Sequence, residues 1–227
     1  MERQMSLNLP VRTARAPEDF FTAPSNAMAK ALVDLWPHWP GSKLALVGPR
    51  GAGKTHLAHV WAARSGATIL PADGLSRADV PMLARGPVAV EDVPGIAGDR
   101  DAEAALFHLH NLVLAEGHTL LVTGTGTPAR WGLTLPDLQS RMQGTQAAVI
   151  EAPDDALLQM ILVKLFADRQ LSPPPNLLPY LLRRMDRSFE SARRVVSGLD
   201  AYSLARQRPV TRGLAKEFLD RGELQGA

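Results

Sequence analysis

The sequence predicts an α/β domain with a mostly parallel sheet covered by helices on both faces, followed by a small all-helical domain. Three observations predict it. Short apolar runs alternate with helix-patterned segments up to about residue 152; one strand-to-helix junction carries a glycine-rich phosphate-binding pattern; and after Pro153 every patterned segment is helical.

In chain order, residues 1–18 are polar with little pattern and are expected to be a flexible tail. "FFTAPSNAMAKALVDLW" has helical spacing from Asn26 to Trp36, with Ser25 or Asn26 as cap and Pro37 and Pro40 as stops. "KLALVG" (43–48) is a short apolar run ending in glycine, which predicts a buried strand, and "KTHLAHVWAARSG" predicts a helix stopped by Gly66. Strands are expected at 67–70 and 87–93, separated by a loop and a weak helix. A helix at 101–117, a strand at 118–124, a short helix from Leu135 to Met142 and a last strand at 147–152 complete the α/β domain, 19–152. Four helical segments follow in 153–227, interrupted by the proline break "LSPPP" (171–175).

Composition bounds the function classes. The chain has 227 residues, 45% of them hydrophobic, enough for a proper core. With no cysteine, a disulfide framework and thiolate chemistry are excluded. No run approaches a membrane span and no signal-peptide pattern opens the chain, so a cytoplasmic location and no membrane partner are expected. The net charge of +2 is unevenly spread: residues 183–221 carry ten basic and five acidic side chains, a net of +5. Such a surface suits phosphate or an acidic partner, and equally an ordinary solvated helix face.

The motif with chemistry is "GPRGAGKT", which fits G-x-x-x-x-G-K-[ST] at Gly48, Gly53, Lys54 and Thr55 and lies between a strand and a helix. In such a loop, formed by Gly48, Pro49, Arg50, Gly51, Ala52 and Gly53, the glycines let backbone amides curl around a β-phosphate, and the helix start at Lys54, Thr55 and His56 adds positive potential. Lys54 would reach the β- and γ-phosphates and Thr55 would ligate Mg²⁺. A second requirement is an acid at the end of a neighbouring strand. "VAVEDV" supplies Glu91 for the metal and Asp92 to orient or deprotonate the attacking water. Thr123, ending the strand "LLVTG", is placed to sense the γ-phosphate or the water.

Phosphate loop, acidic strand, polar strand end and helical lid, in that order, resemble the AAA+ ATPases. The details resemble the branch formed by the bacterial replication initiator DnaA and its truncated regulator, Hda. "GAGKTHLAHVWA" is similar to the initiator's loop and following helix; "FFTAPSN" is similar to the segment near the adenine, with Phe21 and Asn26 at the matching positions. "LPDLQSRMQGTQAAVIEAPDD" is similar to the box containing Leu-x-Ser-Arg, which implies an arginine finger at Arg141. After about residue 222 too few residues remain for the initiator's helix-turn-helix domain, which favours the regulator. So does "QMSLNLP" (4–10): Gln4, Met5, Leu7 and Leu9 match the peptide by which Hda-like proteins enter the pocket of the DNA polymerase III β sliding clamp.

Two departures bear on activity. The acid pair reads Glu91-Asp92 where the superfamily has Asp first, which puts hydrolysis in the chain's own site in doubt. Glu190 stands where DnaA-like lids carry a phosphate-sensing arginine. Either Arg187 or Arg193 substitutes for it, or the site favours ADP; the ADP reading is preferred, because a carboxylate repels a γ-phosphate. The resemblance therefore implies a regulator of replication initiation that holds ADP or ATP with Mg²⁺, reaches DNA through the clamp, and promotes hydrolysis of DnaA-bound ATP through Arg141. Homo-oligomers are a further possibility. The alternatives are a self-acting AAA+ ATPase such as a helicase loader, and a non-catalytic DnaA-binding adaptor.

Overall fold

The computed structural model describes residues 20–221. The tag residues Gln4, Met5, Leu7 and Leu9 lie outside them. The chain runs α1 (Pro24–Asp34), β1 (Lys43–Val47), α2 (Lys54–Ser65), β2 (Thr68–Pro71), α3 (Val80–Leu83), β3 (Val88–Glu91), α4 (Arg100–Ala115), β4 (Leu120–Gly124), α5 (Pro136–Gln143) and β5 (Ala147–Val149). It continues through α6 (Asp155–Asp168), α7 (Leu177–Leu182), α8 (Phe189–Arg206) and α9 (Arg212–Asp220).

The five strands form one sheet in the order β2-β3-β4-β1-β5, and every neighbouring pair is parallel. Parallel strands need crossover connections, which the intervening helices provide. Side chains alternate across the sheet. Ala45, Val47, Val88, Val90, Leu120 and Val122 join the layer that contains α4 and α5, whereas Leu44, Leu46, Ala89 and Leu121 join the layer of α1 and α2. Continuous apolar strands therefore have a partner on both faces. The order also puts β1 between β4 and β5, so the loop leaving β1 sits beside the end of β4, with the end of β3 one strand further on.

Local chemistry sets the helix ends. Asp99, Asp154, Ser188 and Thr211 cap α4, α6, α8 and α9 by accepting backbone N–H groups. Gly66, at φ 71°, closes α2 by donating its N–H to Ala62 at 2.8 Å. Helix α1 differs from the sequence expectation. It begins at Pro24, the position where a missing N–H costs nothing. Asn26, read as a cap candidate, is instead inside the first turn, and its Oδ1 accepts the N–H of Ala23 at 2.9 Å.

Helices α6 to α9 pack around their own core, with Leu158, Leu162, Phe166, Leu181, Val195, Leu199 and Phe218 all buried. Gly198 of α8 is where α9 comes closest, since a Cβ there would collide with the Phe218 ring.

Candidate functional site

The glycine pattern produces a tight loop between β1 and α2. Gly48 follows the last residue of β1 and donates to Gly124 at 3.3 Å, and a Cβ on it would run into the carbonyl of Ile150. Gly51 and Gly53 have φ of 69° and 103°, in the left-handed region that side chains disfavour. Pro49 and Arg50 are exposed at the turn, whereas Ala52 is buried against the α1 and α2 layer. Lys54 folds over the loop, its Nζ donating to the carbonyls of Gly48 at 2.8 Å and Pro49 at 2.9 Å.

The acids expected to serve this loop are beside it. Burial pushes the Lys54 ammonium down; Asp92 opposes that, Arg50 adds to it and Glu91 opposes it, leaving the amine below its ordinary pKa. Glu91 ends β3, and its Oε1 is buried with no hydrogen-bond partner among the described residues. A buried, unsatisfied carboxylate oxygen has the chemistry of a hard-cation ligand. Asp92 follows at φ 57°, and its N–H donates to Oγ1 of Thr123 at 3.1 Å. Thr123 is thus tied to the turn carrying both acids.

The α8 helix closes the loop from the other side. The N–H of Phe189 donates to the carbonyl of Gly51 at 2.9 Å. A Cβ on Gly51 would stand 2.5 Å from Cβ of Ser188, and one on Gly53 would stand 2.7 Å from the Phe189 ring. Beside this contact opens a cleft of about 290 Å³. Phe20, Phe21, Lys54, Thr55 and His56 line it from the sheet domain, and Leu157, Ile161, Lys164, Leu165, Phe189, Glu190 and Arg193 line it from the helical domain. Phe20 meets the His56 ring edge-on, with centroids 5.4 Å apart. The lining combines aromatic and aliphatic side chains, which suit a flat ring, with Lys54, Lys164 and Arg193 beside the phosphate loop.

Of the residues read from the sequence, Phe21, Gly51, Gly53, Lys54, Thr55, His56 and Arg193 meet in this cleft. Asn26 stands behind it: its side-chain amide donates to the carbonyl of Phe21 at 2.9 Å and fixes the segment that carries the ring. Of the two substitute arginines, Arg193 lines the cleft while Arg187 is outside its lining and pairs with Asp155 at 2.9 Å. Arg141 is exposed on α5 and takes no part in lining the cleft.

The sequence reading missed Phe20, Phe189 and the α6 wall. Leu157, Ile161, Lys164 and Leu165 recur at helical spacing, a usable signal for one shared face. Which neighbour that face meets is a tertiary fact, and α6 is too apolar around its circumference to reveal it.

Residues 155–219 match the family model described as the Hda lid domain. Among solved structures, domain III of the Thermotoga maritima replication initiation protein DnaA aligns with a TM-score of 0.78 at 20% identity, over 94% of this chain and 98% of that one. AMPPCP-bound DnaA from Aquifex aeolicus aligns with a TM-score of 0.68 at 18% identity, over 87% and 69%. The Thermotoga maritima RuvB Holliday junction branch migration motor gives 0.63 at 15%, over 79% and 61%. The architecture is therefore the AAA+ fold, a parallel five-stranded sheet with flanking helices and a helical lid.

Proposed function

We propose that this chain, an AAA+ body whose residues 155–219 match the model of the Hda lid domain, is a nucleotide-bound regulator of DnaA. ADP or ATP occupies the cleft between body and lid, with ADP preferred. Phe20 and Phe21 flank the base, Lys54 and the loop amides hold the phosphates, and Glu91 and Thr55 would hold Mg²⁺, which supplies charge neutralisation at the phosphates when bound. Residues 4–10 tether the molecule to the DNA polymerase III β clamp and so, indirectly, to DNA. From there Arg141 enters the site of ATP-bound DnaA and promotes its hydrolysis.

The observation that carries this reading is the separation of Arg141 from the cleft. An exposed guanidinium that does not line its own chain's site is available to a neighbour's. In a partner site it would meet the negative charge that spreads over a phosphoryl group in the transition state, an effect of about 10³ to 10⁵ in rate. Phosphate release from ATP-loaded DnaA, in the presence of clamp loaded on DNA, tests it. The wild type should accelerate release and Arg141→Ala should not; equal rates would refute the finger.

A second reading is favoured by the convergence of Lys54, Glu91 and Asp92 in one site: an ATPase that hydrolyses its own nucleotide to remodel a replication complex. Multiple-turnover hydrolysis by the purified protein alone, abolished by Glu91→Gln, would select it.

A further inference from the structure

Helix α5 is only eight residues long, yet both of its ends are tied to the body by charged side chains from elsewhere in the sequence. At its entry stands Glu103 of α4, whose side chain is buried at 1% exposure. Its carboxylate accepts the N–H of Leu135, the residue capping α5, at 2.6 Å, and the N–H and hydroxyl of Thr134. It also accepts the N–H of Gly98 at 2.8 Å, so one carboxylate joins α4, the loop after β3 and the start of α5. At the exit the carbonyl of Arg141 itself is held twice. Thr145 Oγ1 donates to it at 2.8 Å and Lys43 Nζ at 3.0 Å.

The signs are matched to the helix. A carboxylate sits near the positive end of the backbone dipole and an ammonium near the negative end, and the Arg141 carbonyl is among the last four that α5 leaves without a helical partner. Lys43 is the first residue of β1, and its Nζ also lies 3.3 Å from Nε2 of buried His110. His110 Nδ1 is in turn 3.1 Å from Oδ1 of Asn111, an arrangement satisfied by a neutral ring that donates from Nδ1 and accepts at Nε2. The ammonium is thus fixed between a sheet strand and the helix exit.

We propose that Glu103, Lys43 and Thr145 are positioning residues for Arg141, clamping α5 at both ends so that the backbone from which the exposed side chain projects is held in place toward a partner's nucleotide. The proposal rests on the reading of Arg141 as a finger acting in trans. Pre-set orientation matters because a displacement of about 1 Å at a catalytic group can cost on the order of a hundredfold in rate.

The test is a titration of full-length protein against ATP-loaded DnaA with DNA-loaded clamp, reading the maximal stimulated rate and the half-saturating concentration separately. Thr145→Val and Lys43→Met should each lower the maximal rate by about tenfold or more, with half-saturation unchanged. Thr145→Ser, which keeps the hydroxyl, should restore the maximum. Melting curves and nucleotide binding establish that each variant is folded, and if Lys43→Met does not fold, the Thr145 pair decides. Wild-type maximal rates in both variants, or an effect confined to half-saturation, would overturn the clamp while leaving the finger intact provided Arg141→Ala is inactive. A fully active Arg141→Ala would overturn both.

Discussion

The backbone N–H of Phe189 donates to the carbonyl of Gly51 at 2.9 Å, so the first turn of a lid helix rests directly on the phosphate loop. This contact explains two of the glycines better than conformational freedom alone does. Gly53 combines a φ of 103° with a ring placed 2.7 Å from where a Cβ would be. Gly53→Ala should therefore destabilise the protein by about 1–3 kcal/mol and weaken nucleotide binding, measured by thermal melting and titration. The cost should be smaller in a Phe189→Ala background, where only the backbone strain remains. Equal costs in both backgrounds would mean that the ring contact contributes nothing.

The nucleotide preference should follow from Glu190. Its side chain lines the cleft together with Arg193, so a γ-phosphate would meet one repelling and one attracting charge at the lid. ADP is expected to bind at least as tightly as ATP. Glu190→Gln should improve ATP binding relative to ADP by roughly two- to tenfold, as expected for removing one like charge near a partly solvated site. A clear ATP preference in the wild type would overturn the assignment.

Glu103 predicts an acid sensitivity with a defined sign. Burial pushes its carboxyl upward, but the hydrogen bonds from Thr134, Gly98 and Leu135 outweigh that and hold it below its ordinary value of 4.5. A carboxyl whose pKa is depressed by folding adds stability that is complete above the unfolded value and disappears as pH falls through the folded one. Glu103→Gln points an amide at N–H donors and should cost about 2–4 kcal/mol at pH 7. The gap between the melting temperatures of the two proteins should narrow steadily as pH is lowered below 4.5. A gap that stays constant with pH would show that the ionised carboxylate is not what holds the entry to α5.

How much of this was legible in the sequence depends on whether the chemistry was local. The strand before Gly48 and the helix after it could be read because glycine spacing and apolar periodicity are features of adjacent residues. The caps at Asp154 and Ser188 act over three positions and follow the same rule. The Glu103 network spans 31 residues to Thr134, and Lys43 reaches Arg141 across 98. Within α4 Glu103 has the composition of an ordinary helix surface residue, and no period distinguishes it from Glu116, which is exposed. Asn26 shows the converse. The resemblance assigns it to the segment near the adenine, whereas in the structure it is outside the cleft lining and its amide holds the chain that carries Phe21.

The clamp tether can be tested independently of the nucleotide site, because the tag and the fold occupy different parts of the sequence. In "QMSLNLP" the spaced side chains of Met5, Leu7 and Leu9 can fill an apolar pocket while the Gln4 amide makes directed hydrogen bonds, the division between anchor and polar contact expected of a peptide in a groove. Two or three buried aliphatic anchors at about 1.5–3 kcal/mol each would dominate such an interaction. Gln4→Ala with Leu7→Ala, or deletion of residues 1–10, should therefore abolish capture by immobilised clamp while leaving the melting temperature and nucleotide affinity at wild-type values. If the purpose of the tether is local concentration, the variants should still stimulate DnaA hydrolysis when added at high enough concentration without clamp, since Arg141 is untouched. Unchanged capture by the clamp would sink the tag, and lost stimulation at every concentration would show that the segment does more than tether.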